Sequence, residues 1–335
     1  CSHCFVSKPF MSKLRNLFAN SPNLLGICCV IGAMISFTTQ DSAIKWLSGS
    51  YPLHQIILTR ASVALVLTLL IFVPLEGSYG HLRTRRLLLH VLRGLGIVVA
   101  NFCFFTGLAT LPLGEATAIF FVAPLLITVF SVLLLKERVA ASRWGAVAIG
   151  LSGVIVVLRP GAEVFRWVSL LPVAAATTYA LVQITTRLIG KQDKASTMAF
   201  YIQLTFVVVS GGIGLVFGDG RYANPDNPTV DFLFRAWTVP TVQDLWIMAG
   251  AGMLSGIGGY LVSQGYRQAE AGLVAPFEYV ALPLSIFWSV FLFQDWPDLF
   301  AWCGIALITC AGIYSVYSES VKSRNRVLAP PPHRE

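Results

Sequence analysis

GLATLPLGEATAIFFVAPLLITVFSVLLLKERVAASRW, residues 107–144, has a counterpart 158 positions later in GYRQAEAGLVAPFEYVALPLSIFWSVFLFQDWPDLFAW, residues 265–302. Gly107, Gly114, Ser131 and Trp144 fall on Gly265, Gly272, Ser289 and Trp302. Pro124 and Pro283 agree within one position, and Lys136-Glu137 falls on Gln294-Asp295, where each apolar run turns polar. A solenoid repeats every few dozen residues, so an interval this long marks a duplicated half-protein. In membrane chains, duplicated halves usually enclose a substrate site between them.

Composition places the chain in a bilayer. Apolar residues make up 56% and charged residues 12%, with a mean hydropathy of +0.71; a soluble domain is about a quarter charged. The apolar residues form blocks of the ~20-residue length that a helix needs to cross hydrocarbon. Ten blocks stand out: 23–46, 52–75, 87–110, 113–135, 141–159, 168–188, 195–218, 244–266, 271–293 and 298–317. None shows the alternation of an outer-membrane barrel strand. The expectation is an all-α integral membrane protein with ten transmembrane helices.

The net charge of +8 is not a nucleic-acid signature, because its distribution is lopsided. With the N-terminus in the cytosol and ten crossings, inner segments hold 17 Lys and Arg and outer loops hold 4. That is a strong positive-inside bias, and it puts both termini in the cytosol of a bacterial inner-membrane protein. Five helices per half is an odd number, so the two repeats must be inverted relative to one another. The expected organisation is a cytosolic N-terminal tail (1–22), a first five-helix repeat (23–159), a second (168–317) and a disordered cytosolic tail (318–335).

Cys28, Cys29, Cys103, Cys303 and Cys310 lie in apolar spans and read as small hydrophobic residues. Cys1 and Cys4, with His3 between them, form a single C-x-x-C pair, too little for a zinc site. Met11 begins a run that reads as a translation start, which would make residues 1–10 an upstream extension. The connections are short except 219–243, whose Phe232–Trp237 stretch suits a membrane interface.

Polar residues inside the spans carry the chemistry, because each charge near the bilayer centre costs at least ~2.5–3.5 kcal/mol. Asp41 lies ~9 Å outward of the midpoint of its helix and Arg60 ~5 Å outward on the next, from the helical rise. The two can pair, either as a brace between spans 1 and 2 or as a substrate or gating element, with Lys45 snorkelling outward. Arg93 and Glu278 lie ~8 and ~6 Å inward of their midpoints. Glu278, the acidic residue well inside span 9, is a candidate for proton coupling or for holding a cationic group. A static Arg93–Glu278 brace is the alternative. Asn101, Tyr179, Gln264 and Tyr279 complete the candidate set, able to bind a polar metabolite with a flat group or simply to tie helices together.

Small-residue faces at Gly252, Gly256 and Gly259, and at Gly211, Gly214 and Gly218, predict close helix packing. Pro124, Pro276 and Pro283 predict kinks in the repeat-related spans 4 and 9. The P-loop signature, the zinc-protease helix motif and the hydrolase nucleophile elbow are all missing. Transport would therefore run on a gradient or by exchange.

Taken together, Leu111-Pro-Leu-Gly-Glu-Ala-Thr-Ala-Ile119, Pro124, Leu135-Lys-Glu-Arg138, Arg143-Trp144 and Arg159-Pro-Gly161 resemble the EamA-type transporters of the drug/metabolite transporter superfamily. Ala275-Pro-Phe-Glu-Tyr279 and Phe293-Gln-Asp-Trp-Pro297 extend the resemblance into the second half, as do Asp41–Lys45 and Arg60. Gln294-Asp295 departs from the family's usual Gly-Glu but keeps the acid. The resemblance implies two inverted five-helix repeats around a cavity lined by helices 1, 3, 4, 6, 8 and 9. It also implies alternating access without ATP. Some members with an Ala-Pro-Phe-x-Tyr segment import S-adenosylmethionine or riboflavin; others export amino acids or drugs.

The expectation is a secondary active transporter of a small polar or zwitterionic organic metabolite, not an enzyme, with no cofactor or metal. Its partners are that solute, the lipid bilayer and, as a candidate coupling ion, the proton; the chain is a monomer or a homodimer. An efflux pump for amino acids or drugs, and a non-transporting scaffold or sensor, are the competing readings. A lipid-modifying enzyme would need a nucleophile or metal cluster at one depth, which the sequence does not offer.

Overall fold

The computed structural model describes residues 22–84, 86–136, 141–159, 166–189, 194–268 and 275–328. Cys1, His3 and Cys4 lie outside these residues, as does the Met11 start. Within them the chain is helical, with no strand. Helix α1 spans Pro22–Leu47; α2 spans Leu53–Leu67 and continues through a π-helical turn, Thr68–Phe72, to Leu75. α3 is Leu87–Leu108, α4 is Leu113–Phe120, α5 is Ala123–Leu135 and α6 is Ala141–Leu158. In the second half α7 is Leu170–Ile189, α8 is Ala195–Phe217, α9 is the short Pro228–Phe234 and α10 is Val242–Gln268. A 3-10 segment, Ala275–Val280, leads into α11, Ala281–Phe293, and α12 is Leu299–Leu328.

Helices occupy each of the ten apolar blocks. Among the described residues seven are long and apolar enough to cross a membrane, and the apolar stretches Trp144–Leu158, Phe277–Phe293 and Leu299–Tyr314 are shorter. The protein is a multi-pass membrane protein.

Two of the breaks have one cause. Proline has no N–H and its ring meets the carbonyl four residues back. Four residues before Pro124 is Phe120, where α4 ends, and four before Pro283 is Tyr279, in the 3-10 segment. Each proline then sits in the first turn of the following helix, where an absent N–H costs nothing. The kink expected inside span 4 is therefore a full interruption at Phe121–Val122. Both following helices also end alike: Lys136 and Gln294, at the 158-residue offset, cap α5 and α11 in the left-handed conformation, with φ of 56° and 57°.

Neighbours across the molecule come in matched sets. α1 packs on α10 as α7 packs on α3; α2 packs on α10 as α8 packs on α3; α1 packs on α11 as α7 packs on α4 and α5. α2 meets α8, α4 meets α11 and α6 meets α12. One core cluster gathers Ile57, Phe105, Leu113, Phe206 and Met248, and a second gathers Ile119, Leu125, Leu282 and Ile308, so both draw on the two halves.

Two expectations are corrected. The tail read as disordered from 318 is helical to Leu328, because a chain that leaves the apolar run with ordinary helix formers has no reason to unwind there; residues 329–335 lie outside the described residues. Phe232, expected at the membrane interface, is fully buried. Asn227 caps α9 by accepting from the backbone N–H groups of Thr229 and Val230. Arg235 donates to the Gly49 carbonyl at 2.7 Å and folds the segment over the α1–α2 turn.

Of the glycine faces, the α10 one has a measurable reason at Gly252. A Cβ there would lie 2.6 Å from the Arg60 carbonyl oxygen and 2.7 Å from the Val63 Cβ. Gly259 has open space instead. Overpacking of this kind costs ~1–3 kcal/mol. Gly252→Ala should therefore lower the melting temperature in detergent, whereas Gly250→Ala, with nothing within 4 Å, should leave it unchanged or raise it.

Candidate functional site

The guanidinium of Arg60 is the most buried charge inside the spans, with the residue only 3% exposed. Helix α2 carries it into a cage. One N–H donates to Asn101 Oδ1 of α3 at 3.2 Å, and the rings of Phe105 and Phe206 lie 5.7 and 5.1 Å from the charge. Cation–π contacts of this kind contribute ~0.5–2 kcal/mol each. They do not replace a carboxylate, and Arg60 Nε has no hydrogen-bond partner among the described residues. Asp41 on α1 is in electrostatic range of Arg60, but the direct pair considered from the sequence does not close. Instead Asp41 Oδ1 accepts from the Gln40 amide at 3.0 Å.

Aromatic rings lead away from this cage. Phe105 meets Phe104 at 5.4 Å between centroids, Phe104 meets Phe120 at 5.4 Å, and Phe120 meets Tyr179 at 5.4 Å. A side branch runs from Phe120 to Phe121 and on to Tyr279, at 6.4 and 5.2 Å. Phe120 closes α4 and Phe121 lies in the interruption between α4 and α5.

At the far end the chain reaches a second polar cluster. Tyr179 on α7 is in electrostatic range of both Glu278 and Arg93, and Tyr279 is in range of Glu278. The Tyr279 hydroxyl is buried with no hydrogen-bond partner among the described residues. It occupies the space over Gly312 of α12, where any Cβ would collide with it.

The structure thus sorts the eight sequence candidates into three places. Arg60, Asn101 and Asp41 form one cluster; Arg93, Tyr179, Glu278 and Tyr279 form another. Gln264 joins neither: its amide donates to the Tyr260 hydroxyl at 2.8 Å, and Tyr260 stacks on Phe72 at 4.3 Å. The sequence reading missed the phenylalanines, though the doublets Phe104-Phe105 and Phe120-Phe121 on consecutive spans were a visible signal.

The two ends of the bundle differ. At one end Lys45 does not snorkel outward: its ammonium donates to the Leu111 carbonyl at 2.6 Å and to Asp295 at 3.2 Å, and lies 4.9 Å from the Phe293 ring. One side chain so ties α1 to the α3–α4 and α11–α12 connections. Arg166 donates to the Thr110 carbonyl, and Arg159 pairs with Asp298. The Arg159 hydrogen bond, helped by the Ala301 N–H, holds the Asp298 carboxyl below the usual range. At the other end a cleft of about 200 Å³ is lined by Leu75, Glu76, Lys194, Tyr260 and Gln264. There the Glu76 carboxylate accepts from the Ser196 hydroxyl at 2.6 Å, and Lys194 donates to the Glu76 carbonyl at 2.7 Å.

Comparisons with known proteins give the chain its likenesses. Residues 24–159 match the EamA-like transporter family. The chain is 27% identical to a riboflavin transporter of Vibrio cholerae, over 90% of this chain and 96% of that protein. It is 25% identical to an S-adenosylmethionine uptake transporter of Rickettsia bellii, over 88% of this chain and 94% of that one. A solved structure with 19% sequence identity superposes with a TM-score of 0.60, covering 91% of this chain and 99% of its own, which speaks for the fold alone.

Lys45 offers a direct check on the closed end. Its side chain is 11% exposed and that of Asp295 is 37% exposed, so solvent weakens the ion pair more than the carbonyl bond. Lys45→Met should lower stability by roughly 1–2 kcal/mol in thermal unfolding followed by tryptophan fluorescence, and Lys45→Arg should lower it less.

Proposed function

We propose that the chain is an EamA-type transporter of the drug/metabolite transporter superfamily, as the family match over residues 24–159 and the transporter relatives support, and that it is a secondary active transporter of a bacterial inner membrane, exchanging access to one central site between two inverted five-helix repeats. It is a transporter of small metabolites and not an enzyme. The observation that carries the finer reading is the chain of rings joining two polar clusters, Arg60 with Asp41 at one end and Glu278 with Arg93 at the other. A solute with a flat group and polar extremities fits such an interior. The relatives named for riboflavin and S-adenosylmethionine have this character, and the word uptake in the second name favours import over efflux of amino acids or drugs.

Inversion of the repeats is supported by three local likenesses: the matched packing of α1 on α10 and α7 on α3, the proline-interrupted fourth and ninth spans, and the left-handed caps at Lys136 and Gln294. Discontinuous helices facing a central site are common in secondary transporters, where the freed backbone groups line a cavity. The bias of Lys and Arg places the cleft at Glu76 and Lys194 on the cytosolic side, together with both termini. The Lys45 end is then the outer one.

Glu278 is the group we assign to proton coupling. The phenols of Tyr179 and Tyr279 are in electrostatic range of it, and Arg93 is in range of Tyr179. In proteoliposomes, uptake of riboflavin or S-adenosylmethionine by the wild type should depend on an imposed pH gradient. Glu278→Gln should abolish that dependence while leaving exchange of solute across equal pH. If rate and pH dependence both survive the substitution, Glu278 is not the coupling group.

A further inference from the structure

Four polar side chains around Arg60 have unused hydrogen-bonding capacity. Arg60 carries five N–H donors and uses one, on Asn101; its buried Nε is unmatched. Arginine can only donate, so the Asn101 atom it meets is the carbonyl oxygen, and the Asn101 amide nitrogen donates to none of the described residues. Gln40, 4% exposed, has its Oε1 buried without a partner. Asp41 engages one carboxylate oxygen with the Gln40 amide, and Oδ2 accepts nothing among the described residues. Two bonded pairs make up the cluster, Gln40 with Asp41 and Arg60 with Asn101, and Asp41 is in electrostatic range of Arg60.

Buried polar atoms are nearly always matched, and an unmatched group in a native interior calls for a partner. The unused set alternates in character: donors on Arg60 and Asn101, acceptors on Asp41 and Gln40. Its formal charge is zero, because Asp41 balances Arg60. An added carboxylate or phosphate would leave an uncompensated negative charge among Phe105, Phe206 and their apolar neighbours. A neutral edge that presents carbonyl oxygens beside an N–H leaves no such excess, and a planar ring bearing it can lie against the phenylalanines that begin the aromatic chain.

We propose that Gln40, Asp41, Arg60 and Asn101 form a specificity subsite that reads the imide or amide edge of an uncharged planar heterocycle. Carbonyl oxygens accept from Arg60 Nε and the Asn101 amide, and the ring N–H donates to Asp41 Oδ2. Gln40 Oε1 is the second acceptor, available to a neighbouring donor on the ring or its substituent. The inference rests on the transport reading above, and it gives the Arg60 end of the interior a role separate from that of Glu278.

The test uses the full chain purified in detergent, titrated with riboflavin, whose ring has an N–H between two carbonyls, and with N3-methylriboflavin, in which that N–H is capped. Loss of a hydrogen bond to a charged acceptor weakens binding by ~10-fold or more, so the wild type should prefer riboflavin by at least that factor. Asp41→Ala should bring the two ligands to within about threefold of each other, and Arg60→Met should weaken riboflavin binding. The comparison of the two flavins in the wild type needs no variant to fold. Equal binding of both by the wild type, or failure of riboflavin itself to bind, overturns the subsite. S-adenosylmethionine uptake in proteoliposomes separates the two readings: if it proceeds while the flavin preference is absent, transport stands and the imide-reading subsite falls.

Discussion

Close approach of backbone to backbone at the α2–α10 crossing is the contact on which the interior depends. Between helices in lipid, apolar side chains gain little by exchanging hydrocarbon for one another, and association rests on tight packing and interhelical hydrogen bonds. Gly252 supplies that packing where it matters most, against the carbonyl of Arg60. The residue whose backbone is held there carries the buried guanidinium on its side chain. Helix position and charge position are therefore set by one contact.

From that point the polar interior follows a consistent logic. Charge is kept in balance within each neighbourhood: Arg60 with Asp41 on one side, and Arg93 near Glu278 through Tyr179 on the other. Between the two run rings rather than further charges. The fourth span contributes Phe120 and Phe121 to that run, at the point where α4 ends ahead of Pro124. The same proline effect interrupts the ninth span beside Tyr279, so the least regular backbone in the molecule lies next to its most chemical side chains. Irregular backbone of this kind is tolerated in a membrane only where protein or a cavity surrounds it.

The positions of the helices were legible in the residues, because hydrophobic length is a one-dimensional signal. The helix limits agree with the apolar blocks within a few residues, except that α12 runs on to Leu328 and α11 starts only at Ala281, and the 158-residue offset already paired Lys136 with Gln294 before their shared conformation was visible. The site was less legible. Sequence depth brought Arg60 and Asp41 to neighbouring heights, but not the Asn101 and Gln40 amides that separate a near approach from an ion pair. Lys45 looked like a snorkelling lysine because its carboxylate, Asp295, lies 250 residues away. Gln264 seemed to belong with Tyr179 because depth does not say which way a helix faces; on α10 it shares a face with Tyr260, one turn earlier, and Tyr260 stacks on Phe72. Pairing across helices is a three-dimensional property, and a single sequence without periodic contrast between faces carries little record of it.

The interleaving of the halves also bears on how such a protein is made. Its helices find their main neighbours across the duplication: α1 and α2 on α10, and α3 on α7 and α8. A nascent chain that has delivered only its first five helices to the bilayer lacks the surfaces those helices are shaped to meet. Arg60 would then wait in lipid without Phe206 beside it. Final assembly belongs to the late stage of synthesis, after α10 has left the ribosome, and the insertion machinery must shelter the early helices until then.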